Sequence, residues 1–269
     1  MTLRCLALLL LASACREHSG PAPQRPSDPP PAPPPHQPTP RATLPTSQPS
    51  APERAVQFYA PMPWHTPADL DQPFDSGDEV EVRVTTGAPT RVVRSCRDIL
   101  ELPLTAAVET VAEDTPTYKA FWSIAVDCLA AQFVQSARPS RTSRLDDLLA
   151  ALQPDHDPTT LLPPELGDDT YPDYAARMKQ AAASCHSWKT VDASVHVTRR
   201  KQDELWVSAK DWEGLLSVYA RADFDGDGFE DLLVRRNGGP REGSLVTFQL
   251  LVLTRTDADG CIRVAKTLI

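Results

Sequence analysis

Apolar residues take helical spacing between Cys96 and His186 and recur every two positions beyond Trp188, so the chain divides at that change of period. Ahead of both blocks, Val80, Val82 and Val84 alternate with charged neighbours within Glu79–Thr85, the pattern of a half-buried strand. In the helical block, Thr115-Pro116 places a proline in a first turn, where its missing N–H costs nothing. Phe121, Ala125 and Leu129, with Trp122, Val126 and Phe133, keep helical spacing from there to a stop at Pro139. Ser143 is placed to cap a second, short helix that carries Leu145, Leu148, Leu149 and Leu152 and ends before Pro154. Residues 155–169, with Pro158, Pro163 and Pro164, read as loop. A third helix is predicted from Pro172 to about His186, burying Tyr174, Met178, Ala181 and Cys185.

Beyond Trp188, Val191, Ala193, Val195 and Val197 share one face, with Asp192, Ser194, His196 and Thr198 on the other. Further strands are predicted over 205–209, 215–221, 229–236, 245–255 (the longest) and 261–268. Asn237-Gly-Gly reads as a turn between two of them, and Asp257-Ala-Asp-Gly260 as another. Short connections between consecutive strands make neighbours antiparallel, hence a meander. Helices in one block and strands in the next give an α+β fold, with an antiparallel β-meander after the helical segment. No internal repeat is present.

Composition changes this picture at the N-terminus. Half of the 28 prolines lie between Pro21 and Pro52, and no aromatic residue precedes Phe58, so nothing there can seed a core. The stretch from Cys15 to about residue 55 therefore reads as a disordered, extended spacer, with a folded domain over 56–269. Phe58, Tyr59 and Trp64, with Pro61 and Pro63, are expected to dock the end of the spacer on the domain. Residues 1–14 place Arg4 before the apolar run Leu6–Leu11 and small residues at Ala12, Ser13 and Ala14, the layout of an export signal. The net charge of −9, without a basic stripe, argues against nucleic acid as a partner.

Leu11-Ala-Ser-Ala-Cys15 resembles a bacterial lipobox. The resemblance implies diacylation of Cys15, removal of residues 1–14 and a membrane held through lipid. Arg16 in place of aspartate after the cysteine implies the outer membrane. Cleavage after Ala14 to release a secreted protein is the competing outcome. Of six cysteines, Cys5 leaves with the signal and Cys15 carries lipid, which leaves Cys96, Cys128, Cys185 and Cys261. Four thiols in an oxidising compartment predict two disulfides with three possible pairings. Cys96–Cys128 with Cys185–Cys261 is preferred because each bridge stays within one half of the chain. No two cysteines have the C-x-x-C spacing of a zinc site.

The stretch most specific for chemistry is Ala222-Asp-Phe-Asp-Gly-Asp-Gly-Phe-Glu-Asp-Leu-Leu-Val234. Asp223, Asp225 and Asp227 occupy alternate positions of a loop, Gly228 permits a sharp bend, Phe229 offers its backbone carbonyl and Asp231 closes the shell. All-oxygen ligands with this many carboxylates suit a hard cation, calcium before magnesium. Packed without an intervening base, these carboxylates with Glu230 repel one another unless a cation neutralises them. The loop resembles the calcium loops of FG-GAP or VCBS-type repeats, in which D-x-D-x-D-G-x-x-D precedes an apolar strand, here Leu232-Leu-Val234. It departs from the EF-hand, since Val234 stands where that loop has a bidentate glutamate. It occurs once, whereas the repeat families string several copies into a propeller.

Signatures of catalysis are missing: the sequence has no H-E-x-x-H, G-x-S-x-G or S-x-x-K and no phosphate-cradling glycine loop. His186 beside Cys185, His196 on a polar strand face, Asp155-His156-Asp157 and Asp168-Asp169 are weaker candidates for acid–base or metal chemistry. Asp257 and Asp259 suggest half of a second ion loop, but Cys261 and Ile262 stand where more oxygen ligands are needed, so a plain turn is expected. The expectation is an envelope-anchored lipoprotein whose folded domain holds Ca2+ structurally and acts as a non-enzymatic binding module for a protein or envelope polymer. The competing reading is an extracytoplasmic hydrolase with a dispersed active site.

Overall fold

A computed structural model of the chain describes residues 53–58, 69–74, 80–84, 89–104, 108–111, 115–167, 171–201 and 203–269. The signal segment, Cys15, nearly all of the proline-rich stretch, Tyr59, Trp64 and Asp168-Asp169 lie outside the described residues. In chain order the elements are β1 (Gln57–Phe58), β2 (Val80–Arg83), β3 (Arg91–Val93), α1 (Cys96–Leu100), β4 (Glu109–Thr110), α2 (Thr115–Ser136), α3 (Asp146–Ala151), α4 (Pro172–Ala183), α5 (Trp188–Val191), β5 (His196–Arg200), β6 (Glu204–Ser208), β7 (Trp212–Ala222), β8 (Asp231–Pro240), β9 (Thr247–Thr254) and β10 (Arg263–Thr267). Single 3-10 turns at Pro158–Thr160 and Pro164–Leu166 fill much of the stretch between α3 and α4.

Strands β5 to β10 pair in sequence order, each antiparallel to the next, and so form the expected meander. Strand β1 adds to the far end of β7, with Gln57 opposite Arg221. A second, small sheet has the order β3-β2-β4. The fold is α+β, with helices before an antiparallel sheet and two disulfides.

Helix α2 begins at Thr115-Pro116 as its sequence predicts, and it is apolar on two sides because it lies between two layers. Val126, Ala130 and Val134 pack on Tyr219, Leu233, Leu250 and Val252 of the large sheet. Phe121, Ala125 and Cys128 pack on Val82, Val93 and Ile99 around the small sheet. The Cys96–Cys128 bridge ties α1 to α2 within that second core. The opposite face of the large sheet buries Leu205, Leu216, Val234 and Leu251 under Leu145, Leu148, Leu166 and Trp188. Cys185–Cys261 joins the end of α4 to the approach of β10, so both bridges have the preferred pairing.

Several expectations are corrected. Val191 and Ala193 are not in a strand. The hydroxyl of Ser187 accepts from Thr190 N and caps α5, which buries Trp188 against Trp212, and the strand starts only at His196. Asn237-Gly-Gly is not a turn but the interior of β8, and the chain reverses over residues 241–246. The reason is Trp212: a Cβ on Gly238 or on its cross-strand partner Gly214 would lie 2.1 Å or 2.3 Å from the indole ring. The longest strand is accordingly β7, at 11 residues, and Leu245 is exposed outside β9. Helix α4 stops at Ala183, because Cys185 adopts a positive φ of 56°, and Cys185 is exposed instead of buried. Ser143 stands two residues ahead of the cap position of α3, donating to Asp146 at 3.0 Å.

Candidate metal centre

Strands β7 and β8 end their ladder at the pair Ala222 and Asp231, so residues 223–230 must turn the chain in one tight loop. Gly226 and Gly228 make this possible, with φ of 87° and 88°, a region that side-chain-bearing residues avoid. The carboxylates organise the turn. Asp223 accepts from Gly226 N at 2.6 Å and Gly228 N at 3.0 Å, Asp225 from Asp227 N at 3.1 Å, and Asp227 from Phe229 N at 2.8 Å. Asp231 reaches back from β8 and accepts from Phe224 N at 2.9 Å.

The structure brings three of the four predicted aspartate ligands together and leaves Asp231 outside their cluster. Asp223, Asp225 and Asp227 each bring an oxygen within 4.8 Å of the other two, a cluster able to hold a metal ion. Asp231 is 0% exposed, and its Oδ1 has no hydrogen-bond partner among the described residues. Burial pushes its carboxyl up to about 7 against the pull of the nearby Thr254 hydroxyl and the Phe224 N–H, with the charges of Asp225 and Asp227 adding to the rise. Burial, with the charges of Asp227 and Asp223, also raises Asp225. Among the described residues no ion pair reaches any of the four aspartates, although Arg221 stands 2.9 Å from the neighbouring Glu230. An uncompensated buried carboxylate costs several kcal/mol, about 3–5 when a partner charge is missing. A cation bound by these oxygens removes that cost. Phe229, expected to contribute its carbonyl, lies at the seventh position, outside the β7–β8 ladder, with its ring under the Arg144 guanidinium at 4.1 Å.

The loop is clamped from outside. After α2, Arg138 exchanges two backbone hydrogen bonds with Asp223, at 3.1 Å and 2.9 Å, and Arg141 N donates to Gly228 O at 2.9 Å. Glu230 N donates to Thr142 O at 2.8 Å. Arg54 exchanges two backbone bonds with Ser140, and its guanidinium lies 3.9 Å from Glu230. The incoming chain, the exit of α2 and the centre of the large sheet thus meet at the acidic loop.

The other candidates are not assembled into one site. Cys185 is in a disulfide, which leaves His186 without a thiol partner for nucleophilic chemistry. Asp157 caps the turn at Pro158–Thr160, and the backbone carbonyl of His156 is taken by Arg200. His196 is exposed, 2.8 Å from the Ser194 carbonyl. Asp257 accepts from Gly260 N at 3.0 Å in a plain turn. A polar cluster that sequence reasoning missed joins α2 to the sheet. Arg235 donates to Asp127 at 2.7 Å and Ser123 at 2.8 Å, and Tyr219 O–H donates to Asp127. Burial raises the Asp127 carboxyl against the pull of Arg235. Asp127 and Arg235 are 108 residues apart, so no local spacing announces them.

No family model matches the chain, and no curated protein or solved structure matches it either.

Proposed function

We propose that this chain is an envelope lipoprotein, held to the membrane through a diacylated Cys15, whose disulfide-bonded domain binds Ca2+ structurally and acts as a non-enzymatic binding module. The observation that carries the ion is the cluster of Asp223, Asp225 and Asp227, whose oxygens lie within 4.8 Å of one another. Asp231, outside that cluster, adds a fully buried carboxylate raised by burial and by the charges of Asp225 and Asp227. Carboxylate and carbonyl oxygens select hard cations, and a flexible shell with several carboxylates favours calcium. The ion acts structurally because its loop joins two central strands and carries the clamp from α2. With Kd ~0.1 mM and calcium ~1 mM, binding contributes about 1.4 kcal/mol.

Calorimetric titration of the oxidised chain with calcium, beside Asp225→Ala, tests the ion. One saturable site, absent from the variant and accompanied by a calcium-dependent rise in Tm, is expected. A parent protein that takes up no calcium at millimolar concentration overturns the reading. The anchor is tested by labelling with palmitate in a bacterial host. Label is expected in the parent and not in Cys15→Ala, and equal labelling of the two refutes lipidation at Cys15.

A further inference from the structure

Helix α2 covers one end of its face of the large sheet and leaves the other end open. Beyond Lys119, near the start of α2, the sheet forms a trough of about 650 Å3. Its floor includes Trp206 of β6, Leu215 of β7 and Asn237 of β8, which stand side by side across three strands. One wall is the β8–β9 connection, which lies so close over Gly239 that a Cβ there would be 2.1 Å from the Leu245 carbonyl oxygen. The volume is that of an ordinary ligand site.

We infer that this trough binds an oligosaccharide, with Trp206 as the stacking platform and Lys119, Glu213 and Asn237 as the groups that engage its hydroxyls. The inference rests on the binding-module reading above and supplies its ligand class.

Three observations select sugar over other occupants. First, β6, β7 and β8 are interior strands whose peptide groups are committed to their ladders, so an extended peptide cannot add as another strand. Recognition must come from side chains. Second, those side chains mix one aromatic surface with both signs of charge. Glu213 balances Lys119, and Arg241 is turned to the Ser208 hydroxyl, so among the described residues the trough offers no cluster of free cations to phosphate or an anionic lipid surface. Lys119 and Asn237 are polar interruptions that a purely apolar ligand leaves unmet. A sugar ring offers both an apolar C–H face and hydroxyls that donate and accept. Third, the polar groups are available and one is held in place. Among the described residues, Lys119 and Glu213 have no hydrogen-bond or ion-pair partner. Asn237 accepts from Arg235 Nε at 2.9 Å, which leaves its amide N–H groups as the free donors. Arg235 is itself fixed by Asp127 and Ser123, so the buried cluster under α2 orients a trough residue. Arg199 and Lys201 lie over the Trp206 indole at 4.9 Å and 5.3 Å, yet neither lines the trough. The Thr198 hydroxyl donates to the Trp206 carbonyl at 3.2 Å.

The test uses the oxidised, calcium-saturated full chain and two probes, β-1,4-linked hexamers of N-acetylglucosamine and of glucose. Binding is read by tryptophan emission and by saturation-transfer NMR. Saturable binding of at least one hexamer is expected, lost in Trp206→Ala and weakened about tenfold or more, some 1.4 kcal/mol, in Glu213→Ala and Asn237→Ala. Lys119→Ala and Glu213→Ala alter partner-free side chains and keep the test valid if Trp206→Ala fails to fold. No binding of either hexamer at millimolar concentration overturns the proposal, as does binding that the trough variants leave unchanged. Capture of phosphatidylglycerol vesicles in place of the hexamers, sensitive to Trp206→Ala, overturns the sugar assignment. Parallel melts with and without calcium separate the two readings. A calcium-stabilised protein that ignores the hexamers refutes the trough alone, and hexamer binding without a calcium response refutes the ion alone.

Discussion

Replacing Gly238 by alanine is expected to destabilise the domain through Trp212. The new Cβ would stand 2.1 Å from Cζ2 and 2.7 Å from Cε2 of that indole, distances no packed methyl tolerates. Gly238 does not have a positive φ, so the backbone itself accepts alanine. Removing a glycine also stiffens the unfolded chain, which favours folding by about 0.4–1 kcal/mol. Against this, forcing a methyl into a packed interior costs about 1–3 kcal/mol. Full expulsion of a buried tryptophan sets the ceiling, at about 3–5 kcal/mol. Trp212 is 2% exposed, 5.6 Å from Trp188 and under Arg236, so it has little room to retreat. A net loss of about 2 kcal/mol follows from these terms. Urea denaturation of the oxidised proteins, followed by circular dichroism, measures it. The decisive comparison is the double variant with Trp212→Leu, in which the Gly238→Ala penalty is expected to shrink by about 1 kcal/mol or more. Equal stability of Gly238→Ala and parent, or an undiminished penalty once Trp212 is gone, refutes the steric account.

Without a cation, Asp231 binds its proton more tightly folded than unfolded, its carboxyl being pushed up to about 7. Metal-free protein is therefore expected to gain stability as pH falls from 7 toward the ordinary carboxylate range, and saturating calcium or Asp231→Asn is expected to flatten that slope in thermal melts. Asp98 shows the opposite sign. Burial opposes its charge, but the Arg94 and Ser95 N–H groups outweigh it and hold the carboxyl below its usual value. Its contribution is present above about pH 4 and lost as pH falls through the depressed folded value. Asp98→Ala breaks the capping box with Ser95 and is expected to cost about 1 kcal/mol at neutral pH and less in acid, by urea midpoints. Arg235→Leu strands Asp127 and Tyr219 between α2 and the sheet, so a loss of about 3–5 kcal/mol is expected, with Asp127→Leu/Arg235→Leu recovering part of it.

What the sequence made legible was local. Thr115-Pro116 and the spacing of Phe121, Ala125 and Leu129 mark α2, and the alternation of aspartates with Gly228 marks the turn between β7 and β8. What it concealed depends on partners far along the chain. Asn237-Gly-Gly has the composition of a turn, but Gly238 is small because an indole 26 residues earlier lies on it, and Gly239 because the Leu245 backbone crosses it. Val191 keeps a strand-like period, yet the neighbouring Trp188 is drawn into the core and winds the segment into a helix. The capping box Ser95-x-x-Asp98 is local and has a spacing readable from sequence. The spacing placed Asp231 at the loop but gave no sign that its Oδ1 is buried without a partner, since burial is a property of the assembled sheet. The trough was invisible for the same reason: Trp206, Leu215 and Asn237 become neighbours only through strand register.

The meeting of Arg54 with Ser140 beside the acidic loop also makes that loop a mechanical joint. Tension on the chain ahead of Arg54 is borne first by its two backbone bonds to Ser140 and by the short β1–β7 pairing. Ser140 lies between Arg138, which is bonded to Asp223, and Thr142, which is bonded to Glu230, so the load passes directly into the loop and from there into the two central strands. Stiffening the loop raises the force at which this junction yields, without strengthening the hydrophobic cores behind it. If the loop holds the proposed cation, a fold that gains only modest stability from it at rest becomes, when pulled from its N-terminal side, one whose grip that cation sets.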